Sequence, residues 1–158
     1  MTETPRSPLI PPLRIWTCKM EGHNVTSERT KDLMDRTKRF GLQVIKLVGS
    51  MPAGRVGRVI SDQVLRSGTS VGANYRAACR ARSIAEFISK LGIVEEELDE
   101  TLYWLEVTVE AGLLLAAHVR DLFREADELL GIVVASIRTA RRSGRKDPQS
   151  AIRNPQLT

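Results

Sequence analysis

The sequence predicts an all-α protein, an antiparallel up-down-up-down four-helix bundle. Four segments repeat apolar residues at steps of three and four, which places those residues on one side of a helix. The connectors between the segments are short, and short connectors favour antiparallel neighbours. A run of small residues from Ser67 to Ala78 also predicts close contact between two helix backbones.

The first helix is expected to begin after Ser27 and to end near Val48. Serine is a favoured N-cap residue, and a connector with two glycines and a proline follows at 49–54. The predicted buried side of this helix consists of Leu33, Phe40, Val44 and Leu47.

The second helix is expected to run from about Val56 to Arg80. Its predicted buried side consists of Val56, Ile60, Val64, Ser67, Val71 and Ala78. Gly68 and Gly72 lie in its interior, where each costs about 1 kcal/mol of helix propensity relative to alanine. We therefore expect Ser67, Gly68 and Gly72 to contact a neighbouring helix or subunit closely.

The third helix is expected to begin after Ser83, with Glu86 completing a capping box, and to end near Gly112. Its apolar stripe consists of Ile84, Phe87, Leu91, Val94, Leu98, Leu102, Leu105 and Val109. Tyr103 and Trp104 lie beside the stripe. We expect one of them, preferentially Trp104, to be partly exposed as a subunit-contact anchor, since aromatic residues are enriched in interfaces; core packing is the alternative.

The fourth helix is expected to begin around Arg120 and to stop at Gly144 and Pro148. Its predicted buried side consists of Leu122, Ala126, Leu129, Val133, Ile137 and Ala140. Residues 27–146 therefore form the predicted bundle. Residues 1–26 contain four prolines and are expected to be a disordered leader, and residues 147–158 are expected to be a polar tail.

Charge is distributed unevenly along this basic chain, whose net charge is +5. Residues 52–82 contain six arginines and one aspartate, whereas residues 83–112 contain eight acidic residues and one lysine. We expect the second and third helices to neutralise each other, within or between subunits. The acidic cluster at 95–100 is expected to be solvated or to face arginines; a cation site formed by Glu96, Asp99 and Glu100 is the minor alternative.

A second basic cluster lies at the end of the fourth helix, where positions 138, 141, 142 and 145 share one face. One interpretation is a patch that binds nucleic-acid phosphates. The other is that these cations complement the helix macrodipole, although one or two cations suffice for that. The candidate nucleic-acid-binding residues are Arg138, Arg141, Arg142, Arg145, Lys146, Arg55 and Arg58.

The chemistry of a catalytic or metal site is not apparent in the sequence. His23 and His118 are far apart, and neither lies at ligand spacing from other metal-binding residues on a predicted helix. Nucleophile motifs and a phosphate-binding loop are absent. We expect a non-enzymatic protein with no catalytic residues, no metal ion and no cofactor.

The expected location is the cytoplasm, without a membrane partner. The longest apolar run, Leu113 to Ala117, is far below the roughly 20 residues that a membrane-spanning helix needs. The proline-rich leader lacks the apolar core of a signal peptide. Two cysteines do not make a disulfide scaffold in a chain of this length, which favours a reducing compartment.

The chain resembles the four-helix-bundle family of 23S rRNA intervening-sequence proteins in the segment RSGTSVGANYRAACRARSIAEF and in the segment LGIVEEELDETLYWLE. The family pattern is matched from Arg66 to Asn74 and then by Glu86 and Phe87, and the resemblance covers roughly residues 28–135. The chain departs from many relatives at residues 75–78, where it lacks their carboxylate, so no role is carried over to that position.

This resemblance implies a small all-α protein that forms ring-like homopentamers and has no established enzymatic activity. The chain is also similar to the accessory variability protein of diversity-generating retroelements, which implies RNA or DNA and a reverse transcriptase or another protein as partners. The predicted function is that of a homo-oligomeric bundle that binds nucleic acid or a nucleoprotein through basic faces. The alternative is a protein-interaction or scaffolding bundle with no nucleic-acid role.

Overall fold

The computed structural model describes the backbone of residues 28–145 and the side chains of residues 30–143. The described chain forms four helices and no strand: α1 (Glu28–Val48), α2 (Arg55–Ala78), α3 (Ile84–Glu110) and α4 (Ala116–Arg145). The predicted leader and polar tail lie outside the described residues, as do Cys18 and His23.

The four helices pack in the predicted up-down-up-down arrangement. Each helix packs along the helix that precedes it in the chain, a smaller α1–α4 contact closes the ring, and the backbones of the diagonal pairs do not approach each other closely within the described residues. The antiparallel four-helix bundle predicted from the apolar repeat is therefore confirmed. The α1–α4 seam is its least extensively packed side.

The core is aliphatic and follows the predicted stripes. The fully buried large side chains are Phe40, Val44, Val64, Val71, Leu91, Val94, Leu98, Leu105, Leu129 and Val133. Thr37, Thr101 and Thr108 are also buried; the apolar repeat missed all three because it counts only apolar residues. Their hydroxyls bond to the carbonyl oxygens of Met34, Glu97 and Trp104, which satisfies them inside their own helices.

Two predicted core positions are wrong. Ile84, the first residue of α3, is 38% exposed. Val56 is 60% exposed, and its neighbour Gly57 is buried in its place. The reason lies in the connector, because the Pro52 carbonyl lies against the Gly57 α-carbon and covers that side of the first turn of α2. The connector therefore occupies the position on the inner side of this turn where the apolar repeat predicted the Val56 side chain.

The predicted cap of α3 is confirmed, with one difference. The Ser83 hydroxyl accepts a hydrogen bond from the Glu86 backbone N–H at 3.1 Å. In a full capping box the glutamate would accept from the backbone of the cap residue, but Glu86 accepts instead from the Arg82 backbone N–H at 2.9 Å. The first turn of α3 is thereby fixed to the preceding turn of the chain.

The α3–α4 connector ends α3 with a Schellman motif. Gly112 has a φ of +67°, which glycine adopts at little cost. The Leu113 N–H bonds the Thr108 carbonyl at 3.0 Å, and the Gly112 N–H bonds the Val109 carbonyl at 2.9 Å. This compact reversal lets α4 begin at Ala116, four residues before the predicted start, while the helical backbone continues through the predicted stop at Gly144 to Arg145.

Candidate nucleic-acid interface

The candidate surface is the basic end of the bundle, which we define by Arg138, Arg141 and Arg142 on the last turns of α4. All three are exposed. Among the side chains described at 30–143, none forms an ion pair with them. The side chain of Arg145 and all of Lys146, which the sequence also selected, lie outside the described residues.

The antiparallel topology brings further arginines to this end. The α2–α3 turn lies at the same end as the C-terminus of α4, and it contains the exposed residues Arg80 and Arg82. Arg82 pairs with Glu86 of its own turn, with 3.4 Å between Nε and Oε2. The N–H groups of Arg82 also lower the pKa of the Glu86 carboxyl, with the backbone bond as the main cause. The described part of this end therefore exposes five arginines, of which Arg82 is paired with Glu86.

Arg55 and Arg58 do not belong to this surface. They lie in the first turn of α2, and an antiparallel bundle places that turn at the opposite end. A 24-residue helix is about 36 Å long. The structure thus places Arg55 and Arg58 at one end of the bundle and Arg138, Arg141 and Arg142 at the other, a separation that spacing along the sequence could not show.

The α2–α3 seam contains the predicted neutralisation of a basic helix by an acidic one, and Arg66 forms the ion pairs described there. Arg66 bonds Glu100 and lies 3.5 Å from Glu97, measured from Nη1 to Oε2. The Glu100 carboxyl also accepts the Trp104 indole N–H at 3.1 Å. Both hydrogen bonds favour the charged carboxylate, with Arg66 as the larger cause, and they lower the pKa of Glu100.

The pKa of Glu97 is shifted in the opposite direction. Its side chain is 17% exposed, and the buried Oε2 atom accepts no hydrogen bond from the described residues. Burial raises the pKa of this carboxyl, and the attraction of Arg66 only partly offsets the effect. The 3.5 Å approach of Arg66 supplies electrostatic attraction without an aligned N–H.

We expect Glu97→Gln to raise the free energy of unfolding at neutral pH. Because the folded state binds this proton more tightly than the unfolded chain does, the charged carboxylate is a penalty at neutral pH and the penalty disappears in acid. The advantage of the variant should therefore shrink as the pH falls from the raised pKa of Glu97 in the folded protein through the ordinary pKa of a glutamate. Urea titrations at several pH values measure this, with the exposed neighbour change Glu96→Gln as the charge-matched control. A gain that does not depend on pH would contradict the assigned cause.

A second ion-pair cluster, between α1 and α4, was not predicted from the sequence. Arg36 binds Glu125 through two bonds, Nε–Oε1 at 2.7 Å and Nη2–Oε2 at 2.9 Å, and reaches Glu128 at 2.5 Å. Glu125 and Glu128 lie three residues apart on one flank of α4, and this spacing was the only sign of the cluster that the sequence offered. This cluster bridges the least extensively packed seam of the bundle.

The small residues of α2 make contacts inside the bundle. A Cβ atom at Gly68 would lie 2.6 Å from Val44 Cγ2, and one at Gly72 would lie 3.2 Å from the Thr37 carbonyl oxygen, so α1 packs directly on both glycines. Ser67 faces the other neighbour, because its hydroxyl lies 2.9 Å from the Thr101 hydroxyl of α3. The described structure therefore uses these three residues for helix contacts within one chain.

The aromatic pair differs from the expectation about which ring is exposed. Tyr103 is 55% exposed, whereas Trp104 is half-buried. The indole N–H of Trp104 is held by Glu100, which keeps its ring against the α2–α3 seam. The Tyr103 ring stands against it edge to face, with 5.0 Å between the ring centroids. Tyr103 is therefore the more suitable residue of the two for an external contact.

One cleft brings together residue types that occur in hydrolases. It holds about 400 Å³ between the end of α1 and the start of α4, and Ser50, His118 and Asp121 line it. The Ser50 hydroxyl donates to the Leu47 carbonyl at 2.6 Å, and among the described residues no hydrogen bond joins the three side chains. A nucleophile needs a base within hydrogen-bond reach, so this geometry does not form a catalytic relay.

The side chains described at 30–143 contain no group of three or more His, Cys, Asp or Glu arranged to hold a metal ion. Within residues 28–145, no helix combines the length and apolar character needed to cross a membrane.

Fold and surface together define the chain as a small all-α bundle with an exposed arginine cluster at one end. The chain belongs to the 23S rRNA-intervening sequence protein family, whose sequence profile matches residues 29–135. The arginines of the basic end on α4 lie beyond the matched residues, so any role for them rests on this chain's own residues.

A solved structure shares the fold. It is described as a protein with unknown function from the S23 ribosomal protein family of Bacteroides thetaiotaomicron VPI-5482. It is 32% identical to this chain, with a TM-score of 0.63, and the match covers 66% of this chain and 97% of the other. No curated protein sequence matches the chain.

Proposed function

We propose that this protein is a non-enzymatic, homo-oligomeric bundle that binds the phosphate backbone of RNA or DNA through its basic end. The observation that carries the proposal is the exposed cluster of Arg138, Arg141 and Arg142, without an acidic partner among the described side chains. Arginine binds phosphate oxygens through two parallel N–H groups. Dipole complementation alone requires fewer cations than this.

The chemistry of the surface favours contacts to the backbone over contacts to the bases. Tyr103 lies about 28 Å along α3 from the residues level with the basic end, at 1.5 Å per residue. Near that end Tyr75 is buried and Phe87 is half-buried. Among the described residues near this end no aromatic side chain offers an exposed platform for base stacking, and phosphate contacts carry no sequence information. We therefore propose binding with little sequence preference.

Self-association is part of the proposal, and exposed apolar side chains support it. Leu42, Ile45, Val56, Val59 and Tyr103 are each more than half exposed. Leu42 and Ile45 on α1 and Val56 and Val59 on α2 lie on either side of the short α1–α2 connector, and contiguous exposed apolar surface is typical of contact with a partner. An assembly would also multiply the basic end, because several weak phosphate sites on one particle bind with higher avidity.

The test is a comparison of two charge-matched variants. Changing Arg138, Arg141 and Arg142 to Gln removes three charges from the basic end, and changing Lys46, Arg55 and Arg58 to Gln removes three from the opposite end. We expect the first variant to bind a labelled RNA or DNA duplex about 10–100-fold more weakly, with a slope of log affinity against log salt that is smaller by about 2.7. The second variant should keep the wild-type slope.

Fluorescence anisotropy over a range of salt concentrations gives both quantities, and light scattering of the same samples gives the mass of the particle. Equal losses of affinity in the two variants would show that the effect depends only on net charge, and would overturn the assignment of the basic end. An affinity that does not change with salt concentration would exclude phosphate contacts. A monomer at micromolar concentration would refute the oligomeric part alone.

A further inference from the structure

The outer surface between α3 and α4 contains a groove that the proposed function does not use. It holds about 430 Å³, and Leu105, Val109, Val119 and Phe123 form its apolar floor. Glu106 and Glu110 line the α3 side, and Arg120 and Arg124 line the α4 side. We call these two sides the acidic lip and the basic lip. An apolar floor between rims of opposite charge is a suitable shape for a third helix.

The two lips do not neutralise each other. Within the described side chains no ion pair joins α3 to α4, although the α1–α4 and α2–α3 seams each have two. Arg124 reaches only Asp121 of its own helix, at 3.6 Å with both side chains exposed. The opposite charges therefore face each other across the groove at distances longer than an ion pair. A bound molecule with complementary charges can pair with both lips.

Beyond the groove, each of its two helices has one glycine with open space around it. Gly92 of α3 and Gly131 of α4 lie on the same helix flanks as the two lips by steps of three and four. A Cβ atom at either position would meet nothing within 4 Å, in contrast to Gly68. Packing within the chain does not explain two glycines that weaken helices at these positions. Their open space allows another backbone to approach the floor.

We propose that this groove docks an amphipathic helix of a partner protein. The apolar stripe of that helix packs on the floor, its Lys/Arg flank faces Glu106 and Glu110, and its Asp/Glu flank faces Arg120 and Arg124. The charge pattern of the lips favours this partner over a nucleic acid, which would be repelled by the acidic lip. The length from Gly92 to Glu110 corresponds to about 27 Å, or a helix of about 18 residues.

The test uses designed peptides of about 18 residues with the same leucine stripe. The segregated peptide has lysines on one flank and glutamates on the other, and the mixed peptide has the same composition with both charges alternating on both flanks. We expect the segregated peptide to bind at least about tenfold more tightly, because only it can match both lips in one orientation. Fluorescence anisotropy of labelled peptides measures both dissociation constants.

Charge reversal of one lip then tests the assignment. In the variant Arg120→Glu/Arg124→Glu both lips are acidic, so the segregated peptide should lose its advantage and a peptide with lysines on both flanks should gain it. Gly131→Leu should block all three peptides, whereas Gly131→Ala should leave binding within about twofold, since a methyl group meets open space. Thermal unfolding of each variant confirms that the bundle remains folded.

Three results would overturn the proposal: no binding of the segregated peptide, equal binding of the segregated and mixed peptides, or no change of preference after charge reversal. If Arg120→Glu/Arg124→Glu instead changes the particle mass without peptide, the groove is a contact between copies of this chain. Nucleic-acid binding by the basic end can succeed or fail independently of each of these outcomes.

Discussion

Replacing Gly57 by alanine is expected to lower the free energy of unfolding by about 2–3 kcal/mol. An added Cβ atom would overlap the Pro52 carbonyl oxygen and lie 3.1 Å from the Pro52 carbonyl carbon. These are backbone atoms, which cannot rotate aside as the end of a flexible side chain can. The connector 49–54 would have to move off the first turn of α2.

Gly54 provides the matched control for this change. It caps the same helix, but a Cβ atom there would meet nothing within 4 Å. Its φ of −63° is open to any residue, so Gly54→Ala should change stability by no more than about 0.5 kcal/mol. Urea denaturation midpoints compare the two variants. Equal midpoints would mean that the connector moves away from α2 at little cost.

Gly68→Ala is expected to destabilise the protein by about 2 kcal/mol, even though alanine is the better helix former by about 1 kcal/mol. The new methyl group would lie 2.6 and 2.8 Å from the two Cγ atoms of Val44, which is fully buried and stiff at χ1. Gly131→Ala has the same change of helix propensity with open space around the methyl group. It should stabilise the protein by about 0.5–1 kcal/mol.

A double-mutant cycle identifies the cause of the Gly68 effect. Val44→Ala alone leaves a cavity and should cost about 2–3 kcal/mol. In the double variant Gly68→Ala/Val44→Ala the new methyl group enters that cavity, so the two losses should not add and the coupling should be about 1–2 kcal/mol. Strictly additive losses would show that another contact of Gly68 is responsible.

The helices were predictable because each is specified by neighbours along the chain. The cap of α3 requires only Ser83 and the Glu86 N–H three residues later, and the stripe from Leu91 to Leu105 is a repeat within one helix. The error at Val56 has a different origin. The connector covers the inner side of the first turn of α2, and a helical repeat has no information about a carbonyl group that folds back from outside the helix.

The candidate interface was predictable to the extent that it lies on one helix. Arg138, Arg141 and Arg142 were identified by their spacing on α4, and they share an exposed end. Arg55 and Arg58 were added to them, although the topology places those residues at the other end of the bundle. The Arg36–Glu125 pair joins residues 89 positions apart and could be recognised only once α1 and α4 were adjacent.

The sequence by itself determined that this protein is an all-α bundle and which family it resembles. It also determined where the cap of α3 and the connectors after α1 and α3 lie. These properties depend on residues within one or two helical turns of each other. Only the tertiary structure decided which glycines are required: Gly68 and Gly131 both lie inside a helix, but Val44 packs against Gly68, whereas Gly131 faces open space. It also decided which charges are neutralised, because ion pairing depends on distances between helices that no local repeat encodes.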